Sequence, residues 1–553
     1  MKPRNLLLAA LVVVTAILVV AFVVNFEQLL VRKNASHEIN ENDGLICHVE
    51  LTLMSLDNGG DEEDYECVVV STNKDSALIP DMSVAIDLPL AFIYNNRKAL
   101  DDGDLYIQIP GGSVNQEFVE GFGLVSTNVS IPPSSEILVL NATEVSSMRH
   151  HRKRRRRTSE LKRELADGMG VRTVMVFRIT TDNASPEIGA TEIEERMYST
   201  TQFSFASQFE KCSFGELTFQ PFDLQTPVTE LYVPGDVESF TERTILNAAT
   251  RQAAALFGSD VWDTVDHAIF CMPDGTTGKP YIAYSGVGSF FSVYHNVRCA
   301  YPTTVMHEIA HNCGLGHAFE NGEEYGDETS IMGFSSSSKT GPSKCFNGQN
   351  IWHFGWFKSR SIMVDPFQGH HVVELAPFVD YDKIESYQAV LITVFDMHFV
   401  YNRAKGFNFE TSEYQNKVTI AKEQNEINSE LMAMIDMEHP IFTIENVFGT
   451  GKSLYVELCE LVAGDAGEDY YVVSIGLDYS MCPTPKPPKL TPSPTAISNS
   501  IPISNPWANA LPNPMAHPLA HPLANVPTNP WAYLPDSTEP RLKSPLRPSE
   551  LRR

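Results

Sequence analysis

His307-Glu308-Ile309-Ala310-His311-Asn312-Cys313-Gly314-Leu315-Gly316-His317 is the stretch that decides the reading of this chain. His307 and His311 stand four residues apart, so a helix projects both imidazoles from one face, toward one ion. Gly314 sits where that helix must end. A residue without Cβ takes the left-handed conformation that turns the chain back. The turn brings His317 in as a third nitrogen. Three neutral imidazoles leave the fourth position of a tetrahedral Zn²⁺ to water, which is the arrangement of a catalytic rather than a structural site. Bound Zn²⁺ lowers the pKa of its water to about 7. Glu308, next to the first ligand, is then the expected general base, taking the water proton and passing it to a departing amine. One catalytic Zn²⁺ is therefore expected.

The spacing is the long zincin signature, and the chain resembles the metzincins. That clan has a methionine turn after its third ligand. Here Thr329-Ser330-Ile331-Met332-Gly333-Phe334 follows, and Met332 is expected to support the site without ligating. Within the clan the chain most resembles the gametolysin family, metallopeptidase family M11, over roughly 172–479. The resemblance rests on Phe209-Glu210-Lys211-Cys212-Ser213-Phe214-Gly215, the histidine stretch, Glu324-Tyr325-Gly326-Asp327, Cys345-Phe346-Asn347 with Gly355-Trp356, and Tyr401 to Asn408. It implies an extracellular zinc endopeptidase made as a zymogen and acting on wall or matrix glycoproteins. Phe334 stands where astacins and serralysins carry a tyrosine. No phenol from that position can assist the oxyanion, so stabilisation is expected to fall mainly to the metal.

Outward from the motif, Val174 to Ile179 reads as a strand, Glu194 to Phe209 as helical and Glu216 to Phe219 as a strand. Thr241 to Phe257 reads as a helix with Ile245, Ala248, Ala249 and Ala253 on its apolar face. Ala268 to Cys271 is a buried strand, and Tyr281 to Tyr294 one or two more. A peptide is expected to add as a strand against this last edge. From Ser361 the pattern changes to strands and turns, among them Val372 to Leu375, Ala389 to Val394, Leu454 to Leu458 and Tyr470 to Ile475, which predicts an all-β, sandwich-like segment. Residues 483–553 hold eighteen of the 35 prolines and cannot pack a core. The fold class expected is an α/β metzincin catalytic domain (a mixed twisted sheet plus the metal-binding helix) with a β-rich pro-domain and an all-β C-terminal domain. The expected segments are 1–33, 34–157, 158–360, 361–482 and 483–553.

The N-terminus argues for export. Lys2 and Arg4 precede an apolar run from Leu6 to Val24. Such a run spans about 28 Å as a helix, close to a bilayer's hydrocarbon core. A cleaved signal peptide and a signal anchor both fit. The length of the run and the lack of an A-x-A site favour the anchor, which would tie the precursor to a membrane. Asn34, Asn128, Asn141 and Asn183 begin glycosylation sequons. Residues 34–148 carry twenty acidic and three basic residues, with strand-like runs at Cys67 to Val70 and Leu105 to Ile109. The charge then inverts at Arg152-Lys153-Arg154-Arg155-Arg156-Arg157. In an exported chain this reads as a processing site, with cleavage after Arg157 by a proprotein-processing protease; Arg154, Arg156 and Arg157 are its expected determinants. Cys47 or Cys67 can enforce latency as a thiolate on the metal, or the two can bridge each other, and bridging is favoured. Cys313 lies two residues past a ligand and reads as structural.

Composition agrees. Of 553 residues, 43% are hydrophobic and 20% charged, as in globular proteins. Asp plus Glu is 69 against 41 Lys plus Arg, a net charge of -28, which argues against a nucleic-acid partner. The expected partners are instead a protein or glycoprotein substrate and the processing protease. The alternative from another class is a non-catalytic adhesion or wall-binding protein that keeps the fold. Intact Glu308 argues against it, because a binding protein has no use for a base beside the metal.

Overall fold

The computed structural model describes residues 45–56, 61–71, 83–101, 105–119, 123–131, 137–140, 168–258, 261–278, 280–334, 337–425, 427–464, 467–479 and 482. The apolar run Leu6 to Val24, the sequons at Asn34 and Asn141, the basic run ending at Arg157 and the proline-rich tail lie outside the described residues. Among the described residues no helix is long and apolar enough to cross a membrane.

Among the described residues the acidic N-terminal segment forms seven strands: β1 Leu45–Leu56, β2 Asp61–Ser71, β3 Ser83–Ala85, β4 Tyr106–Ile109, β5 Ser113–Val119, β6 Gly123–Ser130 and β7 Leu138–Leu140. Cys67 to Val70 falls within β2, and Leu105 to Ile109 overlaps β4 from Tyr106 on. Asn128 is exposed on β6. Cys47 and Cys67 are joined in a disulfide that ties β1 to β2. A thiolate switch from either residue is thereby overturned, since a bridged sulfur has no thiolate to offer.

The body opens with β8 Gly170–Thr180, followed by α1 Ala190–Tyr198, α2 Phe205–Cys212, β9 Leu217–Pro221, β10 Val228–Tyr232, α3 Glu242–Phe257, β11 His267–Met272, β12 Tyr281–Gly286 and β13 Phe291–His295. The single helical stretch expected over Glu194 to Phe209 is two helices. Ser204 caps α2 by accepting from the Ser207 amide, and the Ser207 hydroxyl accepts from the Ser204 amide in return. Such a cap is worth about 1 kcal/mol, so a new helix begins where periodicity alone runs on. Asn183 is exposed in the turn after β8.

β10, β8, β11 and β13 lie side by side and parallel, and β12 adds antiparallel to β13. The two faces of this sheet bury two cores. One holds α1, α2 and the helix of the histidine stretch around Phe205, Phe209, Ile309 and Met332. The other packs α3 through Ile245, Ala248, Ala249 and Ala253 against Phe177 and Phe270. Three disulfides join six of the seven cysteines that follow the basic run: Cys212 bonds Cys345, Cys271 bonds Cys299, and Cys459 bonds Cys482.

The edge expected to receive a peptide is not open. β1 pairs antiparallel with β12, so the N-terminal strands and the body strands form one continuous sheet.

After the motif come β14 Ala318–Glu320, a short helix Gly348–Phe354, and then β15 Ser361–Val364, β16 His371–Leu375, β17 Leu391–Val394, β18 Met397–Asn402, β19 Lys417–Glu423, β20 Ser429–Ile435, β21 Ile441–Ile444, β22 Leu454–Val462 and β23 Tyr470–Leu477. They form two sheets, ordered β14-β20-β19-β18-β17-β15 and β16-β23-β22-β21. Their inner faces share a core of Val373, Phe399, Ile420, Val456 and Ile475. The first sheet takes in β14, which directly follows His317, through parallel pairing with β20. Phe378, Val390 and Val400 also pack into the core around the histidine helix. The C-terminal strands therefore help to build the histidine site.

Candidate metal centre

The histidine helix runs Pro302–Asn312, with Pro302 in its first turn, where a missing N–H costs nothing. It is buried along nearly its whole length and packs on β12 and α2. Gly314 follows at φ +97°, the left-handed geometry the turn requires, and the chain comes back to His317. One side-chain nitrogen from each of His307, His311 and His317 lies within 4.8 Å of the others. Among the described residues this is a cluster able to hold a metal ion.

Each ring is oriented by its other nitrogen. His307 Nδ1 donates to Ile331 O at 2.9 Å, His311 Nδ1 to Leu315 O at 2.8 Å, and His317 Nδ1 to a Glu324 carboxylate oxygen at 2.8 Å. Carbonyl and carboxylate oxygens only accept, so in each ring the Nδ1 carries the proton and Nε2 presents a lone pair to the common point. His307 Nε2 is buried with no hydrogen-bond partner. An orphaned buried acceptor costs about 1–3 kcal/mol, which a metal at that point would recover. The donor set and the tautomers thus fit a metal.

Burial keeps the rings neutral. It pushes His307 down to about 4 against the pull of the Ile331 carbonyl. It holds His311 and His317 well below the usual imidazole value, and the neighbouring imidazoles add to the effect.

Glu308 is buried, and the Ser285 hydroxyl on β12 lies 3.1 Å from its Oε2 and 2.9 Å from its backbone oxygen. Met332 is fully buried in the core on this face of the sheet, next to Ile331, whose carbonyl orients His307. Gly333 follows with no room for a side chain: a Cβ there would lie 1.8 Å from Asp327 O. Cys313 is buried at the helix end and takes no part in the four disulfides.

Several residues at the site were not assigned roles from the sequence. Glu324 and Tyr325 served only as marks of resemblance, yet the Tyr325 hydroxyl lies 2.9 Å from His317 Nε2, at the lone pair a metal would take. Phe334, at the position where astacins and serralysins carry a tyrosine, is exposed, and the phenol beside the histidine cluster is that of Tyr325, seven residues before Met332. Asn428 Oδ1 accepts from the His317 amide at 2.7 Å, and Gly316 N donates to Ile427 O. Buried Lys344 donates to Glu328 O and Phe334 O and braces the methionine turn. Nothing local in the sequence marks Asn428, Lys344 or Ser285, because each comes from a distant segment.

Residues 172–380 match the model of the gametolysin peptidase M11 family. The match includes the histidine stretch and the methionine turn and stops short of Tyr401 to Asn408. A curated relative, autolysin of Chlamydomonas reinhardtii, is 35% identical over 104 residues, covering 16% of this chain and 16% of the relative. The chain thus matches about one sixth of that relative's length.

Proposed function

We propose, from an M11-type peptidase segment that carries three converging histidines, that this protein is an exported zinc metalloendopeptidase, made as a zymogen and acting on wall or matrix glycoproteins. One observation carries the reading: three imidazoles turn their Nε2 lone pairs to one point, and the residue after the first of them is a buried carboxylate. His307, His311 and His317 would hold the ion, with Met332 and Gly314 supporting their geometry. A zinc ion bound there supplies Lewis-acid activation of water and of the scissile carbonyl. Glu308 takes the proton of the attacking water and hands it to the leaving amine. Ser285 orients that carboxylate from β12. The Tyr325 hydroxyl donates toward the oxygen on which charge develops.

Export, glycosylation at the sequons and processing after Arg157 belong to the same proposal. The disulfides, and a relative named autolysin, support a location outside the cell. Protein cleaved after Arg157 and freed of its N-terminal segment should hydrolyse casein or gelatin and hold one zinc per chain. A chelator should abolish the activity, and Glu308→Ala should abolish it with zinc retained. Full activity in that variant would refute the mechanism. Zinc-loaded wild type that cuts no protein would favour the adhesion reading.

A further inference from the structure

We propose that β1 occupies the place of a substrate strand: it keeps the precursor silent, and its own sequence displays the kind of peptide the site accepts. This rests on the peptidase reading and adds to it a substrate pattern and a means of latency.

The register is the first ground. Thr52, Leu53, Met54, Ser55 and Leu56 pair antiparallel with Gly286, Ser285, Tyr284, Ala283 and Tyr281, and Val287 N donates to Leu51 O at 2.9 Å. The backbone groups of β12 that an added peptide would use are thereby taken. Residues directly opposite on a ladder share a face. Leu53 is opposite Ser285, whose hydroxyl touches Glu308, so Leu53 lies on the face of the histidine helix. Leu51, two residues along, shares that face.

The packing agrees. Leu51 and Leu53 are buried in a cluster with Val287 and Ile427, and Ile427 O accepts from Gly316, the residue before His317. Met54, on the opposite face, packs on the core around Tyr281 and Tyr284. The strip beside the metal centre thus accommodates aliphatic side chains two residues apart on an extended chain. That is the substrate pattern inferred.

The second ground is how firmly β1 is held. β2 pairs along it from Ile46 to Ser55, covering its outer edge, and the Cys47–Cys67 disulfide joins the two strands. Glu66 of β2 forms a buried ion pair with Arg243 of α3, beside a hydrogen bond from Tyr284 of β12 to Glu242. Cutting the chain at Arg157 severs none of these contacts. The freed segment therefore stays in place until it dissociates or is destroyed.

The test uses the full-length chain. In the uncleaved precursor, Leu51→Asp with Leu53→Asp should raise casein hydrolysis at least tenfold over the wild-type precursor. It should also speed amide exchange over Tyr281–Val287 at least tenfold, with α3 and the histidine helix unchanged. Glu66→Lys, which opposes Arg243 from outside the β12 ladder, should act in the same direction. Once the segment is removed, sites cut in denatured protein should be enriched in Leu, Ile or Val at two positions two residues apart. A wild-type precursor as active as the separated enzyme would overturn the latency claim, and cut sites without that enrichment would overturn the substrate pattern. If no form cuts any protein, the peptidase reading has failed, and exchange decides alone: β12 amides no faster in either variant would overturn the strand assignment.

Discussion

Gly333→Ala should cripple the metal centre without touching a ligand. A Cβ at this position would lie 1.8 Å from Asp327 O and 2.6 Å from Asp327 C, where ordinary contact begins at 3.4 Å. The difference, 3.4 minus 1.8, requires the turn to move by about 1.6 Å against a backbone carbonyl, which has no rotamer to escape into. That carbonyl is also fixed in place: Asp327 is fully buried, with its carboxylate held by Thr329 and Asn347. The displaced residues carry the bonds from Ala318 N to Met332 O and from Phe334 N to Tyr325 O, both 2.9 Å. Losing the first, between buried residues, and the second, at exposed Phe334, costs about 1–4 kcal/mol together. Ile331, two residues earlier, orients His307, and loss of such a partner lowers metal affinity about 10–100-fold. Urea unfolding of the metal-free full-length protein reads the first quantity, and zinc titration against a chromophoric chelator reads the second. Gly189→Ala is the control, because that position has an ordinary φ and open space around it. A Gly333→Ala protein within about 0.5 kcal/mol of wild type, with unchanged zinc affinity, would refute the packing argument.

Further outcomes follow from the same contacts. Burial pushes His353 and His398 down to about 4, so the unfolded chain takes up their protons first. Stability of the metal-free protein should therefore fall as pH drops from about 6.5 to about 4, by on the order of 3 kcal/mol per imidazole, and His398→Asn should flatten the slope in urea midpoints. Tyr325→Phe should lower kcat roughly 100-fold with zinc content unchanged, as expected for a lost donor at the oxyanion; an unaltered kcat would exclude the phenol from the chemistry. Asn428→Ala should weaken zinc binding about tenfold by releasing the His317 amide, as measured by the same chelator competition. Unfolded, unreduced protein should show one reactive thiol per chain, since eight of the nine cysteines are bridged; three thiols would contradict the pairing.

The sequence alone determined the centre of this molecule, because that centre is written in short spacings. Two histidines four apart share a helical face whatever surrounds them, and a glycine three residues later permits the turn to the third. Strands such as β8 and β11 were equally legible from apolar runs, the first interrupted only by Arg178. The tertiary structure decided everything that depends on distant segments meeting. The single helical stretch read over Glu194 to Phe209 misses the break in which Ser199 turns extended and Ser204 caps the next helix. Asn428 reaches His317 across 111 residues. Tyr325 lies near in sequence, but its hydroxyl reaches His317 Nε2 only through the fold of the turn. Most of all, the edge of β12 offers hydrogen bonds that any extended chain can take. Which chain takes them is set by register, by the fit of Leu51 and Leu53 and by the Glu66–Arg243 pair, none of which has a local signature.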